Sequence, residues 1–235
     1  MAFSIDRWME EYRRSAEERF GGRIWFMGLQ GSYGRGEATE ESDIDVVLIL
    51  DRLDTSDLQE YSRMLDALPE RNRICGFVSG REELLAWETS DLFQFCHDTV
   101  PVLGSLEPLL QGIGEEDIRR AVRIGACNIY HMCAHNLVHE KSMDILKGLY
   151  KSAAFTLQAV AFLQTGIYEK KKETLRLRLC AGDRQILETG LELKRRRTVS
   201  DAELMHLSSL LLEWSGGWIR RYGGSNRKKD VAIRK

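Results

Sequence analysis

No lysine occurs among the first 110 of the 235 residues. A Gly-Lys-Ser/Thr phosphate loop is thereby excluded from that half, since such a loop needs its lysine to reach the phosphates. No apolar run attains the roughly 18 to 20 residues of a membrane-spanning helix before a charge interrupts it, so a membrane partner is not expected. The opening residues MAFSIDRWMEEYRR place Asp6, Glu10 and Glu11 where a secretory signal requires an apolar block, which points to a cytoplasmic location. Five cysteines, Cys75, Cys96, Cys127, Cys133 and Cys180, form no C-x-x-C pair for metal or redox chemistry, and their apolar surroundings suggest buried thiols in a reducing compartment. With 43% hydrophobic and 30% charged residues, the chain is neither disordered nor fibrous.

Charge is present in an uneven way. The formal net charge of −2 conceals an acidic half, residues 1–110, with 22 carboxylates against 11 arginines, and a basic half, residues 111–235, with 14 carboxylates against 23 cations. Two modules with different electrostatic tasks follow from that split.

The periodicities agree with it. Ile5, Trp8, Met9, Tyr12 and Ala16 have helical spacing after Ser4, a candidate N-cap, and Gly21-Gly22 ends the pattern. Strands are predicted at 23–29, 43–50 and 73–79, with a fourth at 92–97, and helices at 55–68 and 81–88. Beyond residue 107 the stripes are helical, at 115–138, 141–165 and 201–222 with shorter runs near 170–180 and 183–195. An α+β chain is expected: a mixed-sheet domain over 1–110, an all-α bundle over 111–222, and a basic tail over 223–235 that reads as disordered.

Between the first two predicted strands lies Gly31-Ser32, then ten residues, then Asp43-Ile44-Asp45. Side chains at i and i+2 of a strand share a face, so Asp43 and Asp45 project together while Ile44, Val46 and Leu48 enter the core. Two carboxylates held this closely repel unless a cation lies between them. Oxygen-only ligands favour Mg²⁺ or Mn²⁺, ions that also bind nucleotide phosphates and serve in-line displacement at phosphorus. Ser32 is expected to cap a short helix, the absent Cβ of Gly31 lets phosphate approach the backbone, and Arg35 adds a forked donor suited to phosphate.

The stretch GSYGRGEATEESDIDVVLIL resembles the signature of the nucleotidyltransferase superfamily with the DNA polymerase β-like fold. The domain followed by a helical bundle is similar to the kanamycin nucleotidyltransferase and aminoglycoside adenylyltransferase branch. That resemblance implies that Gly31 and Ser32 hold the β and γ phosphates of a nucleoside triphosphate such as ATP and that Asp43 and Asp45 bind Mg²⁺. The implied reaction is attack by an acceptor hydroxyl on the α-phosphate, with pyrophosphate leaving. Members of the superfamily usually add a carboxylate from a later strand, and Ile74-Cys75-Gly76-Phe77-Val78 has none. Asp98, or Glu140 or Asp144 from the bundle, is the candidate substitute or catalytic base; loss of the third ligand, with activity weakened or absent, is the other outcome.

In the bundle, Glu140, Asp144, Lys147 and Lys151 fall at i, i+4, i+7 and i+11, one helix face by spacing. The plain interpretation is a solvated, salt-bridged surface; the functional one has Lys147 or Lys151 neutralising triphosphate. His131, His135 and His139 also share a face, but no His-Glu-x-x-His accompanies them and zinc is not expected. Lys194-Arg195-Arg196-Arg197 and the basic tail read as solvated, so nucleic acid is not an expected partner. The expected substrates are a nucleoside triphosphate and a hydroxyl-bearing small molecule such as an aminoglycoside, handled by a monomer or a homodimer. Two alternatives stay open: a protein-adenylylating enzyme of toxin–antitoxin type, and a nucleotide-binding regulatory protein with an impaired site.

Overall fold

The structure, a computed structural model, describes residues 3–223, so of the expected tail only Gly223 is among the described residues. The chain divides between Ile113 and Gly114 into two compact units. The first begins with α1 (Ile5–Phe20), whose Trp8, Met9, Tyr12, Ala16 and Phe20 are buried along one stripe. There follow β1 (Ile24–Leu29), the short α2 (Gly31–Arg35), β2 (Ile44–Leu50), α3 (Thr55–Asp66), β3 (Ile74–Gly80), α4 (Arg81–Leu85), α5 (Thr89–Asp98), β4 (Val100–Leu103) and α6 (Glu107–Leu110). The strands form one mixed sheet in the order β3-β2-β1-β4. β1 runs antiparallel to both β2 and β4. β2 and β3 are parallel, as a connection through a helix requires.

Both faces of this sheet are covered, which explains why β2 is an almost unbroken apolar run. Ile44, Val46, Leu48 and Leu50 pack with Trp8 and Tyr12 of α1 and Met64 and Leu65 of α3. Val47 and Ile49 point the other way, to Phe26, Leu84, Leu92, Cys96, Leu106 and Leu109. Asp45, which by alternation shares the face of Val47 and Ile49, lies where that second layer stops.

Residues 92–97, expected as a strand, are helical and belong to α5. Leu92, Phe93 and Cys96 are buried at i, i+1 and i+4, a helical stripe that a six-residue window without turn signals does not distinguish from a buried strand. The fourth strand is instead β4, an edge strand, where Pro101 is tolerated.

The second unit is helical throughout its described elements: α7 (Glu115–His135), continued by a π-helical turn (Asn136–Glu140), then α8 (Met143–Thr165), α9 (Lys172–Arg178), α10 (Ala181–Arg195) and α11 (Asp201–Tyr222). Ile129, Cys133, Leu146, Tyr150, Leu157, Leu187 and Leu211 are members of its core. The buried carboxylate of Asp183 accepts hydrogen bonds from the indole N–H groups of Trp214 at 2.8 Å and Trp218 at 3.3 Å, which fastens α10 to α11. No described helix is long and apolar enough to cross a membrane.

Glu140 does not share the α8 face with Asp144, Lys147 and Lys151. The chain leaves the π-turn at Lys141, which has φ 49°, and α8 starts afresh behind Ser142. The corner is closed by buried Asn136, which accepts from the Ser142 N–H at 2.9 Å and donates to the Ser142 carbonyl at 3.0 Å.

Only Cys96 and Cys133 are buried; Cys75, Cys127 and Cys180 are exposed. Cys127 is off the α7 stripe of Ala126, Ile129 and Cys133, Cys180 is the residue before α10, and Cys75 lies on the edge strand β3. Burial pushes the Cys96 thiol up to about 12, which leaves it protonated and inert at neutral pH. A maleimide at neutral pH is therefore expected to label Cys75, Cys127 and Cys180 in the native protein, and Cys96 and Cys133 only after denaturation, as peptide mass mapping will show.

The start of α11 carries a pH-sensitive cap. The Ser200 backbone N–H donates to Glu203 at 3.0 Å and Arg196 donates to it at 2.8 Å, and these bonds, the first foremost, hold the Glu203 carboxyl at about 2 against an ordinary 4.5. Because the folded value is the lower one, the stabilisation is complete above about pH 4.5 and is lost as pH falls towards 2. Glu203→Gln is expected to unfold at lower denaturant concentration than wild type at pH 7, with the gap narrowing below pH 4.5.

Candidate active site

The site is built where β1 ends beside the start of β2. Leu29 is the last residue of β1 and pairs with Val46, and the Gln30 N–H then donates to the Asp45 carbonyl at 2.7 Å. The next residue, Gly31, opens α2 with φ +65°, a conformation costly for any residue with a side chain. A Cβ at this position would lie 2.7 Å from Cγ of Asp45. The carboxylate of Asp45 thus occupies the space that a side chain at residue 31 would need. Gly31 is required for this seating before any question of phosphate approach arises.

Ser32, expected as the helix cap, lies inside α2; the capping position is Gln30, and the helix begins two residues earlier than the sequence suggested. The reason is Gly31, whose left-handed φ lets the chain turn into the helix directly after the strand. Ser32 instead supplies its carbonyl to the Glu37 N–H at 2.8 Å, which closes the end of the turn. Asp43 stands immediately before β2 and is exposed, whereas Asp45 is half-buried. Two carboxylates of this kind suit Mg²⁺, which keeps several waters and takes its remaining ligands from substrate phosphates. No group of three or more His, Cys, Asp or Glu among the described residues could hold a metal ion. β3 contains no carboxylate, and the parallel register sets Cys75 beside Asp45.

Arg35 and Asp98 meet. Nη1 of Arg35 donates to Oδ2 of Asp98 at 3.0 Å, Nε donates to Glu37 at 3.4 Å, and the Arg35 and Asp98 side chains are only 8% and 9% exposed. Asp98 therefore reaches this end of the sheet from a helix, with its carboxylate bound to the guanidinium. Gln30 strengthens the same junction: its amide donates to the Thr99 hydroxyl at 2.6 Å and to the Phe95 carbonyl at 3.2 Å. These bonds tie the residue before Gly31 to the end of α5.

Arg73 was not legible as a site residue in the sequence, where it is one of several charged residues ahead of β3. It donates to the Ser42 carbonyl through Nε at 3.1 Å and Nη2 at 2.9 Å, and to the Tyr33 hydroxyl at 2.6 Å. The residue preceding Asp43 and the middle of α2 are thereby held by one guanidinium.

In the second unit, Lys151 is exposed on α8, one turn beyond Lys147, and Glu140 and Asp144 flank the corner at Lys141. The rings of His135 and His139 are 4.7 Å apart and those of His131 and His135 6.5 Å, with Nδ1 of His135 buried and unpartnered. They are not part of any described group able to hold a metal.

Residues 9–103, which include all four strands, Gly31 and both aspartates, match the model of the nucleotidyltransferase domain family. The matched stretch lies within the first unit. Among solved structures, a spectinomycin adenyltransferase from Enterococcus faecialis, determined with ATP and spectinomycin, shares the fold with a TM-score of 0.55 at 12% identity, covering 88% of this chain and 98% of that one. A nucleotidyltransferase-like protein from Exiguobacterium sibiricum aligns over 91% of this chain and 78% of its own, at 11% identity and a TM-score of 0.35. No match is found among curated protein sequences.

Gly31→Ala combines a left-handed backbone with a collision against Asp45, and is expected to cost more than about 1 kcal/mol of stability. Gly148→Ala, in the interior of α8 with open space around it, serves as the contrast and is expected to gain up to about 1 kcal/mol. Denaturant unfolding of both variants checks the opposite signs.

Proposed function

We propose that the protein is a Mg²⁺-dependent nucleotidyltransferase that moves AMP from ATP to a hydroxyl of a small molecule such as an aminoglycoside. The observation that carries this is the seating of the Asp45 carboxylate against Gly31 in a nucleotidyltransferase domain. Gly31 and Ser32 would hold the β and γ phosphates, and Asp43 and Asp45 the metal. When bound, Mg²⁺ or Mn²⁺ supplies positive charge at the α-phosphate and the departing pyrophosphate.

The acceptor oxygen forms its bond to the α-phosphorus as the bond to pyrophosphate breaks, and the hydroxyl proton passes to a carboxylate. Asp98, already bound to Arg35, serves instead to anchor α2, and Arg35 assists the nucleotide through the turn it fixes. The spectinomycin adenyltransferase, similar in fold, supports a small-molecule acceptor, and the acidic first half favours a cationic one.

A second reading is favoured by one observation. The neighbour of Asp45 on β3 is the thiol of Cys75 and not a third carboxylate, which suits a nucleotide-binding protein of weak or no transfer activity. Calorimetry with a non-hydrolysable ATP analogue and a pyrophosphate-release assay over aminoglycosides separate the two. For the enzyme, wild type binds the analogue in a Mg²⁺-dependent way and releases pyrophosphate with at least one acceptor, and Asp45→Asn lowers turnover by about 100-fold or more. Binding with no pyrophosphate released for any acceptor favours the regulatory protein; undiminished Mg²⁺-dependent binding by Asp45→Asn would overturn the metal platform.

A further inference from the structure

The two aspartates are held unequally. Asp45 is gripped from both sides: the Gln30 N–H donates to its carbonyl at 2.7 Å, and Cys75 stands beside it on β3. Asp43 lies outside the strand. The register with β3 starts at Ile44 and Ile74 and that with β1 stops at Val46, so Asp43 has no ladder partner on either side, and it is exposed. Two carboxylates hold one metal ion well only where both are placed in advance, and the strand places one of them.

Arg73 supplies the missing restraint. It ends the single 3₁₀ turn (Arg71–Arg73) ahead of β3. Its guanidinium donates through Nε and Nη2 to the Ser42 carbonyl, and through Nη2 to the hydroxyl of Tyr33, the residue after Ser32 in α2. The Ser42 carbonyl belongs to the planar peptide group that joins Ser42 to Asp43, so these bonds fix the plane from which Asp43 departs. Ser42 is also locked in a turn: its hydroxyl accepts from the Thr39 N–H at 2.8 Å, and its own N–H donates to the Thr39 carbonyl at 3.0 Å. The loop 36–42 is thereby fastened, at its far end, to the helix it leaves. The guanidinium is sheltered as well. It lies over the Phe3 ring at 5.0 Å from the centroid, Phe3 meets Tyr33 edge-on at 5.7 Å, and the Arg73 side chain is 17% exposed. Exclusion of water strengthens the bonds it makes inward. Nη1 takes the remaining partner, Glu70, at 3.1 Å.

We propose that Arg73 is a positioning residue that sets the affinity of the aspartate pair for its divalent cation, by fixing the peptide on the open side of Asp43 and tying it to α2. The proposal rests on the reading of Asp43 and Asp45 as the metal platform and adds the residue that holds the platform in shape. Groups that orient metal ligands without touching the metal typically contribute about 10- to 100-fold in metal affinity. Lysine does not replace arginine here, because a single ammonium lacks the planar fork that serves a carbonyl and a hydroxyl in fixed directions at once.

The test uses the full chain and calorimetry with a non-hydrolysable ATP analogue across a series of Mg²⁺ concentrations. Arg73→Lys keeps the charge and loses the fork; it is expected to raise the Mg²⁺ concentration for half-maximal binding by about 10- to 100-fold, with affinity at saturating Mg²⁺ within about twofold of wild type. Tyr33→Phe, which loses one bond and keeps the ring, is expected to move the same midpoint in the same direction by less. Glu70→Gln, which alters only the Nη1 contact, is expected to leave it unmoved. In an Asp43→Asn background, Arg73→Lys is expected to add less than about twofold, because the carboxylate it places is gone. Thermal unfolding establishes that each variant is folded; where Arg73→Lys is not, Tyr33→Phe alone and combined with Asp43→Asn decides by the same criteria. An unmoved midpoint, equal weakening at every Mg²⁺ concentration, or an undiminished effect on top of Asp43→Asn overturns the positioning role and leaves Arg73 a packing residue. A wild-type protein that binds no analogue, or binds it independently of Mg²⁺, overturns the metal platform itself, and the proposal with it.

Discussion

Everything in the first unit that bears on chemistry depends on the close approach of Gly31 to Asp45. At that point an antiparallel pair of strands ends, a short helix begins, and a carboxylate fills the volume of a missing side chain. Positive φ and the absence of a Cβ are both needed, and only glycine meets both conditions without strain. The hydrogen bond from the Gln30 N–H to the Asp45 carbonyl holds the turn beside this carboxylate.

Two arginines keep this arrangement in place from opposite sides. Arg35 forms a buried ion pair with Asp98 and thus binds α2 to the end of α5, and Arg73 joins Ser42 to Tyr33 from the β3 side. A buried ion pair adds little net stability, because desolvation of both charges offsets much of their attraction. Its contribution here is geometric: alternative positions of α2 would leave one of the charges buried without a partner. Arginine suits both places because its planar fork donates in several directions at once. The same unit contains no lysine in its first 110 residues, so every cation that organises the site is a guanidinium.

Much of the fold was legible in advance because its signals are local. The apolar run of β2 and the helical stripes of α1, α8 and α11 follow from periods of two and 3.6 residues. Where the structure departed from expectation, the deciding contact was non-local or the signal degenerate. Six apolar-rich residues at 92–97 fit a buried strand as well as a helix. The break at Lys141 depends on Asn136 binding both backbone groups of Ser142. Exposure of Cys75 depends on β3 being an edge strand, which no window of sequence reveals. Arg73 was missed for the same reason, since Ser42 and Tyr33 are distant in sequence.

By itself, the sequence determined residue types and their order: a Gly-Ser turn, two aspartates at the start of a strand and an acidic module joined to a basic helical one. These are statements about residue type and spacing, and covalent geometry enforces them wherever the strand and turn form. Tertiary structure alone decided which groups stand beside Asp45. The parallel pairing of β2 with β3 brought a thiol to its flank, and the packing of α5 delivered Asp98 to Arg35. Those neighbours lie some thirty to sixty residues away along the chain, and only the assembled sheet and its covering helix place them there.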